Sequence, residues 1–211
     1  MHRDPMMKSC DLLVTGVGGQ GTVVASDTLA AVGLAAGYDV KKSDILGLAV
    51  RGGAVVGHVR WGERVHSPIV PDGRADYLIA FEVLEGLRWL DHVRPEGTVL
   101  INQQRIYPVT VSSGSAAYPD EETTDRALRA TTPHVIRVPG PDLVRELGST
   151  RVLNVVLLGV LSTLLPVEPE TWEGVLSDRM PAGLLELNLR AFREGRRWLM
   201  ERTGEHAHTG D

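Results

Sequence analysis

A glycine-rich hexapeptide between an apolar run and a helical pattern constrains the fold of this chain more than any other feature. The apolar run predicts a β-strand over Asp11–Thr15, and the pattern of small residues predicts a helix over Gly21–Ala36. Gly37 stands where a helix-ending glycine is expected. A strand, a tight turn and a helix in this order are typical of the first unit of a dinucleotide-type α/β fold. The turn contains Gly16, Gly18, Gly19, Gln20 and Gly21.

A glycine turn of this kind can bind a ligand, or it can have the purely structural role of packing the helix against the strand. Glycines allow the backbone to bend sharply and to approach a ligand closely. The free amides at the start of the following helix carry partial positive charge, which favours a phosphate or a carboxylate. The spacing of the glycines alone does not decide between these two roles.

Strands and helices alternate over the rest of the first two thirds, and the last third is helical. This order predicts a Rossmann-like three-layer α/β sandwich with a mostly parallel sheet. The further predicted strands are Tyr38–Lys42, Ala54–Trp61, Tyr77–Phe81, Thr98–Ile101 and His134–Val138. The further predicted helices are 84–93, 123–130, 142–147, 152–165, 170–177 and 181–202.

The domain organisation follows from length and composition. A chain of 211 residues suits one α/β domain, predicted over residues 11–203, with an N-terminal extension at 1–10 and a disordered tail at 204–211. The net charge of −5 argues against a nucleic-acid partner. The sequence offers neither a signal peptide nor a membrane span, so a cytoplasmic location is expected. Its one cysteine, Cys10, cannot form a cluster site alone, and no metal site is expected.

Three apolar features carry more specific expectations. Ala54–Trp61 alternates between apolar and polar residues, which predicts a strand with one wet face and a partly exposed His58. The segment 152–165 is apolar on nearly every side, so it lies either in the core or against another chain. Together with the four tryptophans, this segment predicts a large apolar surface for a partner.

A second constellation of candidate binding residues lies between the second and third predicted strands. Arg51 offers a forked donor for phosphate or carboxylate, and Gly52 and Gly53 after it permit a bend at the sheet margin. Asp44 lies 23 residues beyond Gly21, about where a dinucleotide fold places its ribose-binding acid. A structural turn around Arg51 and a capping role for Asp44 remain open.

Taken together, these segments resemble the gamma domain of the 2-oxoacid:ferredoxin oxidoreductases, most closely the beta-subunit form found in indolepyruvate ferredoxin oxidoreductase. The segments stand in the family's order and together span residues 10–190. They are Gly16–Gly21, Arg51–Arg60, Ala75–Leu78 with Phe81–Arg88, and Asn154–Gly159. The chain departs from the family pattern at Leu46 and Val50, where histidine and glutamine are common.

The resemblance implies an accessory subunit that is inactive alone. The family decarboxylates a 2-oxoacid oxidatively, passes the acyl group to coenzyme A and passes the electrons to ferredoxin. Thiamine diphosphate and iron–sulfur clusters are then expected on a large partner subunit, with ferredoxin reached through the complex. Coenzyme A is the ligand that the resemblance implies for the glycine turn.

Two other functions remain compatible with the sequence. A stand-alone NAD-dependent dehydrogenase would use Asp44 as its ribose acid, although the sequence offers no convincing acid–base residue. A non-catalytic scaffold of the same fold would tolerate apolar residues at Leu46 and Val50.

Overall fold

A computed structural model describes residues 9–47 and 52–207 of the chain. Within these residues the strands are β1 (Ser9–Val17), β2 (Asp39–Leu46), β3 (Ala54–Gly62), β4 (Ala75–Ala80), β5 (Val93–Asn102) and β6 (His134–Val138). The α-helices are α1 (Thr22–Ala35), α2 (Val83–Leu87), α3 (Val109–Ser112), α4 (Glu121–Thr131), α5 (Gly140–Leu147), α6 (Leu153–Ser162), α7 (Pro169–Arg179) and α8 (Ala182–Ala207). Short 3₁₀ turns precede β5 and α6.

The strands form one sheet in the order β2-β3-β1-β4-β5-β6. β1, β4, β5 and β6 pair in parallel, whereas β3 pairs antiparallel with both β1 and β2. Helices α1 and α5 to α8 cover one face, and α2 and α4 cover the other. The predicted three-layer sandwich with a mostly parallel sheet and a helical last third is confirmed.

The strands around the glycine turn are longer than the sequence predicts. β1 continues through Gly16 and Val17, so the turn itself begins at Gly18. β2 was predicted to end at Lys42 but continues to Leu46, because each of its residues pairs with one on β3. Its polar residues are tolerated because β2 is an edge strand with open solvent beside it.

The prediction that one face of β3 is exposed to solvent is wrong. β3 lies between β1 and β2, with α1 on one face and the segment around Val70 on the other, so both faces are covered. His58 is therefore only 1 % exposed rather than partly exposed. Its Nδ1 accepts a hydrogen bond from the backbone N–H of Val70 at 3.2 Å, and its ring packs edge-on against Trp89.

Buried His58 makes the stability of the fold depend on pH. Burial lowers the pKa of His58, nearby His92 lowers it further, and Asp44 opposes them. The folded chain then binds fewer protons at this site than the unfolded chain, so stability is lost as pH falls through about 6.5, the unfolded value. We expect His58→Gln, which keeps an acceptor for Val70, to flatten the fall in urea midpoint between pH 7.5 and pH 5.5.

The matched control for this prediction is the exposed His134. His134→Gln should leave the slope of urea midpoint against pH nearly as it is in the unaltered chain, because the side chain of His134 is 53% exposed and its one charged neighbour, Glu96 at 3.4 Å, is also at the surface. Equal slopes for the unaltered chain and the His58→Gln variant would contradict the assignment of the titration to His58.

The apolar segment predicted at 152–165 forms α6, and all ten residues of this helix are buried. It packs against α5 and α8 inside the chain, so it contributes to the core and not to a partner surface. Trp61 and Trp172 are also fully buried. The prediction that this helix and these tryptophans form an exposed apolar surface is therefore wrong.

The C-terminal helix is longer than predicted. α8 continues to Ala207, so it includes the first residues of the predicted tail, and residues 208–211 lie outside the described residues. Its arginines lie mostly in solvent, where Arg193 pairs with Glu173 and Arg197 with Glu194. No helix within the described residues combines the length and the apolar character that a bilayer crossing requires.

Helices α6 and α8 cross with their backbones in contact at two glycines. A Cβ atom on Gly159 would lie 2.1 Å from the carbonyl oxygen of Phe192, and one on Gly195 would lie 2.0 Å from that of Val156. Each glycine therefore faces the backbone of the opposite helix. No other residue type fits there without moving the two helices apart.

Candidate functional site

The glycine turn gives helix α1 an open N-terminus. Gly19 has φ +105° and Gly21 has φ +83°, a backbone conformation that side chains with a Cβ rarely adopt. Gly21 is the N-cap of α1, and among the described residues no side chain caps the helix. The first turn of α1 also lacks acidic residues. The backbone amides at this helix end are thus suited to an acceptor or an anion.

The turn lies at the point in the sheet where the strand order reverses, so that later strands lie on opposite sides of β1. From β1 the chain passes through α1 to β2 and β3 on one side, whereas β4 leads to β5 and β6 on the other. The carboxyl ends of β1 and β4 are adjacent at this switch point, since the two strands pair in parallel. Open α/β sheets bind their ligands in the crevice at such a point.

The side chain of Gln20 braces the turn against the neighbouring strands. Its Oε1 accepts from the backbone N–H of Val17 at 2.7 Å. Its Nε2 donates to the carbonyl oxygen of Phe81 at 2.9 Å and to Oε1 of Gln104 at 3.1 Å. Asn102 donates to the same Phe81 carbonyl at 2.9 Å. Gln20, predicted as a ligand contact, therefore holds together the ends of β1, β4 and β5.

Asn102 and Gln104 were missed from the sequence, although a signal for them was present. Asn102 directly follows the apolar residues 99–101 of β5, and Gln104 comes two residues later, at the edge where parallel strands end. Glu82, which follows β4, caps α2 by accepting from the N–H of Glu85 at 2.9 Å. It also accepts from the N–H of Ile106 at 3.0 Å. Its carboxylate is buried and serves the local structure.

Two residues of the second group of candidates, Gly52 and Gly53, contact the glycine turn. The N–H of Gly18 donates to the carbonyl of Gly53 at 2.8 Å, and the N–H of Gly52 reaches the carbonyl of Gly18 at 3.4 Å. Gly52 has φ +78°, consistent with the predicted bend. Arg51 and Val50 lie outside the described residues. Leu46 is described and is 63 % exposed at the end of β2.

Asp44 does not join the turn. It lies within β2, which β3 separates from β1, so about 10 Å divides the two strand axes. Its carboxylate accepts from Ser26 Oγ at 2.8 Å and pairs with Lys42, which also contacts Asp27 at 2.6 Å. Asp44 thus ties α1 to β2. Asp44 is therefore not placed to bind a ribose at the turn, as the dehydrogenase hypothesis requires.

A cavity of about 680 Å³ opens beside the turn. Its other walls come from the α5–α6 connection and from the start of α8. The lining includes four amide side chains, at Gln20, Gln104, Asn154 and Asn188, and apolar residues at Val24, Val144, Val152, Leu153, Met180, Leu184 and Leu187. Asn154 faces Gly21 so closely that a Cβ on Gly21 would lie 2.9 Å from Asn154 Nδ2.

Within the part of the chain that the structure describes, no three His, Cys, Asp or Glu side chains meet as a metal site. Cys10 is fully buried, and burial raises the pKa of its thiol far above the usual value. One buried thiol does not fit the four-ligand requirement of an iron–sulfur cluster.

Comparison with known proteins assigns the family. Residues 11–198 match the family model described as pyruvate ferredoxin/flavodoxin oxidoreductase. The chain belongs to this family. Within the pyruvate ferredoxin/flavodoxin oxidoreductase family, a Thermococcus kodakarensis protein named indolepyruvate oxidoreductase subunit IorB is 34% identical, and the match covers 90% of this chain and 95% of that protein. A subunit of the same name from Archaeoglobus fulgidus is 35% identical, covering 88% and 92%. The resemblance seen in the sequence is confirmed.

Solved structures agree on the fold. The gamma subunit of a keto/oxoacid ferredoxin oxidoreductase from Geobacter sulfurreducens superposes with a TM-score of 0.64 at 22% identity, covering 88% of this chain and 95% of that chain. The 2-oxoglutarate:ferredoxin oxidoreductase from Magnetococcus marinus, solved with 2-oxoglutarate, coenzyme A and succinyl-CoA bound, gives a TM-score of 0.69 at 24% identity. That match covers 90% of this chain and 31% of the longer one.

Proposed function

We propose that this chain is the small, gamma-type subunit of a 2-oxoacid:ferredoxin oxidoreductase, with an indolepyruvate-type enzyme as the first candidate. The observation that carries the proposal is the match that covers 90% of this chain and 95% of the Thermococcus subunit. A protein of that class works inside a complex. The proposal places the complex in the cytoplasm.

The proposed division of labour follows from the residues of this chain. Its single cysteine, Cys10, lies in the core, so cluster ligands have to come from another subunit. The candidate site offers amides, hydroxyls and a helix N-terminus and lacks an evident acid–base pair among its described residues. In this proposal, as the family resemblance implies, a large partner supplies thiamine diphosphate and the clusters, and ferredoxin receives electrons through the complex.

In this proposal the glycine turn serves the acyl acceptor, coenzyme A. The open N-terminus of α1 contributes about 0.3–1 kcal/mol to binding an exposed anion. A charge-assisted hydrogen bond from Arg51 adds about 1.5–3 kcal/mol. The sum, roughly 2–4 kcal/mol, is at most what millimolar affinity requires, about 4 kcal/mol. We therefore expect the chain alone to bind coenzyme A at millimolar strength or weaker, and more tightly in the complex.

The test of the proposed function is reconstitution. The chain is co-expressed with the large thiamine- and cluster-bearing subunit from the same genome, purified through a tag on the chain, and assayed for viologen reduction with indolepyruvate and coenzyme A. We expect the two subunits to co-purify, the complex to reduce viologen and the isolated chain to show no activity, because its single cysteine cannot hold a cluster.

Two controls complete this test. The large subunit purified alone shows whether this chain is needed for turnover, and other 2-oxoacids show which substrate the complex prefers. Viologen reduction by the isolated chain, or a large subunit that neither binds the chain nor depends on it, would refute the accessory-subunit function. NAD reduction by the isolated chain would support a dehydrogenase in its place.

A further inference from the structure

The connection between β3 and β4 forms a strap over one face of the sheet. The strap consists of residues 63–74 and contains neither helix nor strand. Helices α2 and α4 contact β1, β4 and β5 on this face, and the strap packs on β3 beside them. The median connection in a compact domain has about 4–6 residues, so the strap is long for its task.

The strap is attached to the sheet at its flanks and at its centre. The flanks are held by hydrogen bonds from Val65 N–H to Asp39, from Arg60 to the carbonyls of Ser67 and Ile69, and from Gly73 N–H to the carbonyl of Asp91. At the centre, the buried N–H of Val70 donates to Nδ1 of His58 at 3.2 Å. Val70 is fully buried, so this contact is shielded from water.

His58 can hold the centre of the strap only in its neutral form. A neutral imidazole has one donor and one acceptor nitrogen, so the hydrogen lies on Nε2 when Nδ1 accepts. Nε2 is buried and has no hydrogen-bond partner among the described residues. A second proton goes to Nδ1, where it faces the N–H of Val70. Two donors repel each other, so protonation of His58 and attachment of Val70 exclude one another.

The charges around His58 do not compensate a proton on its ring. His92, at a ring-centroid distance of 6.4 Å, opposes this proton, whereas Asp44, which is paired with Lys42, favours it. Three further pairs lie on the surrounding elements, namely Arg60 with Asp11, Arg88 with Glu85, and His92 with Asp72. The remaining charged groups of the strap are exposed, namely Glu63, Arg64, His66 and Arg74. Within the described part of the chain, neither ring nitrogen of His58 contacts a carboxylate.

We propose that the strap is an acid-sensitive clasp, in which a proton on His58 detaches Val70 and opens residues 65–73 away from β3 while the rest of the fold is retained. Opening uncovers apolar side chains that cluster with Val70, among them Leu13 of β1 and Val56 of β3. The clasp opens more easily as pH falls through about 6.5, the value at which a histidine in water takes up a proton. This inference goes beyond the proposed function and does not depend on it.

The test is amide hydrogen exchange of the full chain labelled with ¹⁵N, at pH 7.5 and pH 5.5, with each rate compared with the intrinsic rate at the same pH. We expect the amide of Val70 to be at least tenfold less protected than that of Ile79 on the central strand β4. Its protection should not respond to low urea, because a local opening exposes little surface. Equal protection of Val70 and Ile79 would mean that the strap opens only with the whole fold, and it would overturn the proposal.

The dependence on pH is the second expected result. Between pH 7.5 and pH 5.5 the protection of Val70 should fall about tenfold, because His58 titrates near 6.5 once the strap is open. His58→Gln keeps an acceptor for Val70 but does not titrate, so its Val70 protection should be the same at both pH values. His66→Gln removes the exposed histidine of the strap itself and should keep the tenfold fall. A fall that persists in His58→Gln, or one that disappears in His66→Gln, would overturn the proposal.

The imidazole nitrogens of the unaltered chain provide a measurement that needs no variant. Long-range ¹H–¹⁵N spectra at pH 7.5 should show the hydrogen of His58 on Nε2 and a bare Nδ1, as the contact with Val70 requires. A hydrogen on Nδ1 at this pH would overturn the assignment of the clasp, whether or not His58→Gln folds.

Discussion

Gly195→Val is expected to destabilise the fold by about 3 kcal/mol or more, the upper range for overpacking a well-packed core. The new Cβ would lie 2.0 Å from the carbonyl oxygen of Val156, so α6 and α8 must separate. Separation opens gaps along the most buried helix of the chain, since every residue of α6 is buried. Domains of this size have only about 5–15 kcal/mol of stability. The measurement is the urea midpoint by circular dichroism.

Gly174→Val is the matched control for this substitution. Gly174 also lies within a helix, α7, but nothing lies within 4 Å of its added Cβ. Valine and glycine have comparable helix propensities, within about 0.5 kcal/mol, so this variant should keep nearly the original midpoint. Gly159→Val is expected to behave like Gly195→Val, because it faces the same crossing from the other helix. An unaltered midpoint for Gly195→Val would contradict the described crossing.

Gly21→Val is expected to leave the chain folded and to lower acyl-CoA formation by the reconstituted complex more than tenfold. Valine at φ +83° costs roughly 1–3 kcal/mol in backbone strain, and its Cβ would meet Asn154 at 2.9 Å. The turn must therefore shift, and with it the amides at the start of α1. That strain is smaller than the stability of a typical domain, about 5–15 kcal/mol, so the fold is retained.

Gly37→Val separates loss of function from simple backbone strain. Gly37 has φ +89° at the opposite end of α1, and nothing lies within 4 Å of its added Cβ. Both variants carry the backbone strain, and Gly21→Val should lose more stability because its Cβ also meets Asn154, but only Gly21→Val should lose acyl-CoA formation per assembled complex. Equal activities in the two complexes would assign a purely structural role to the turn. Circular dichroism and gel filtration of both complexes accompany the assay.

The fold could be predicted from the sequence because its main signals are local. The glycine turn, Gly37 at the end of α1 and the alternating apolar runs each act within a few residues. The errors arose where distant residues decide the outcome. β2 extends to Leu46 because β3 pairs with it, and His58 is buried because the segment around Val70 covers it. Neither neighbour can be identified from the pattern of the strand itself.

The structure brings some of the residues singled out in the sequence to the glycine turn and places others elsewhere. The sequence singled out the turn and also Gly52 and Gly53, whose backbones contact it, and Gly19, Gly21 and Gly52 have the positive φ that glycine favours. It placed Asp44 beside them because the spacing fits a dinucleotide fold, but the antiparallel β3 occupies the position next to β1. The roles of Asn102 and Gln104 depend on which strands are adjacent, so they follow only from the sheet order.

The Gln20 brace has a consequence for the thermodynamics of binding at the turn. Because one amide side chain joins the last residue of β1 to residues that follow β4 and β5, the turn is already held in one conformation in the free chain. The entropy of ordering a glycine-rich loop, about 1–2 kcal/mol per residue, is thus spent during folding. A ligand bound at this turn would therefore not have to order the loop, and the free energy of its contacts would not be reduced by that cost.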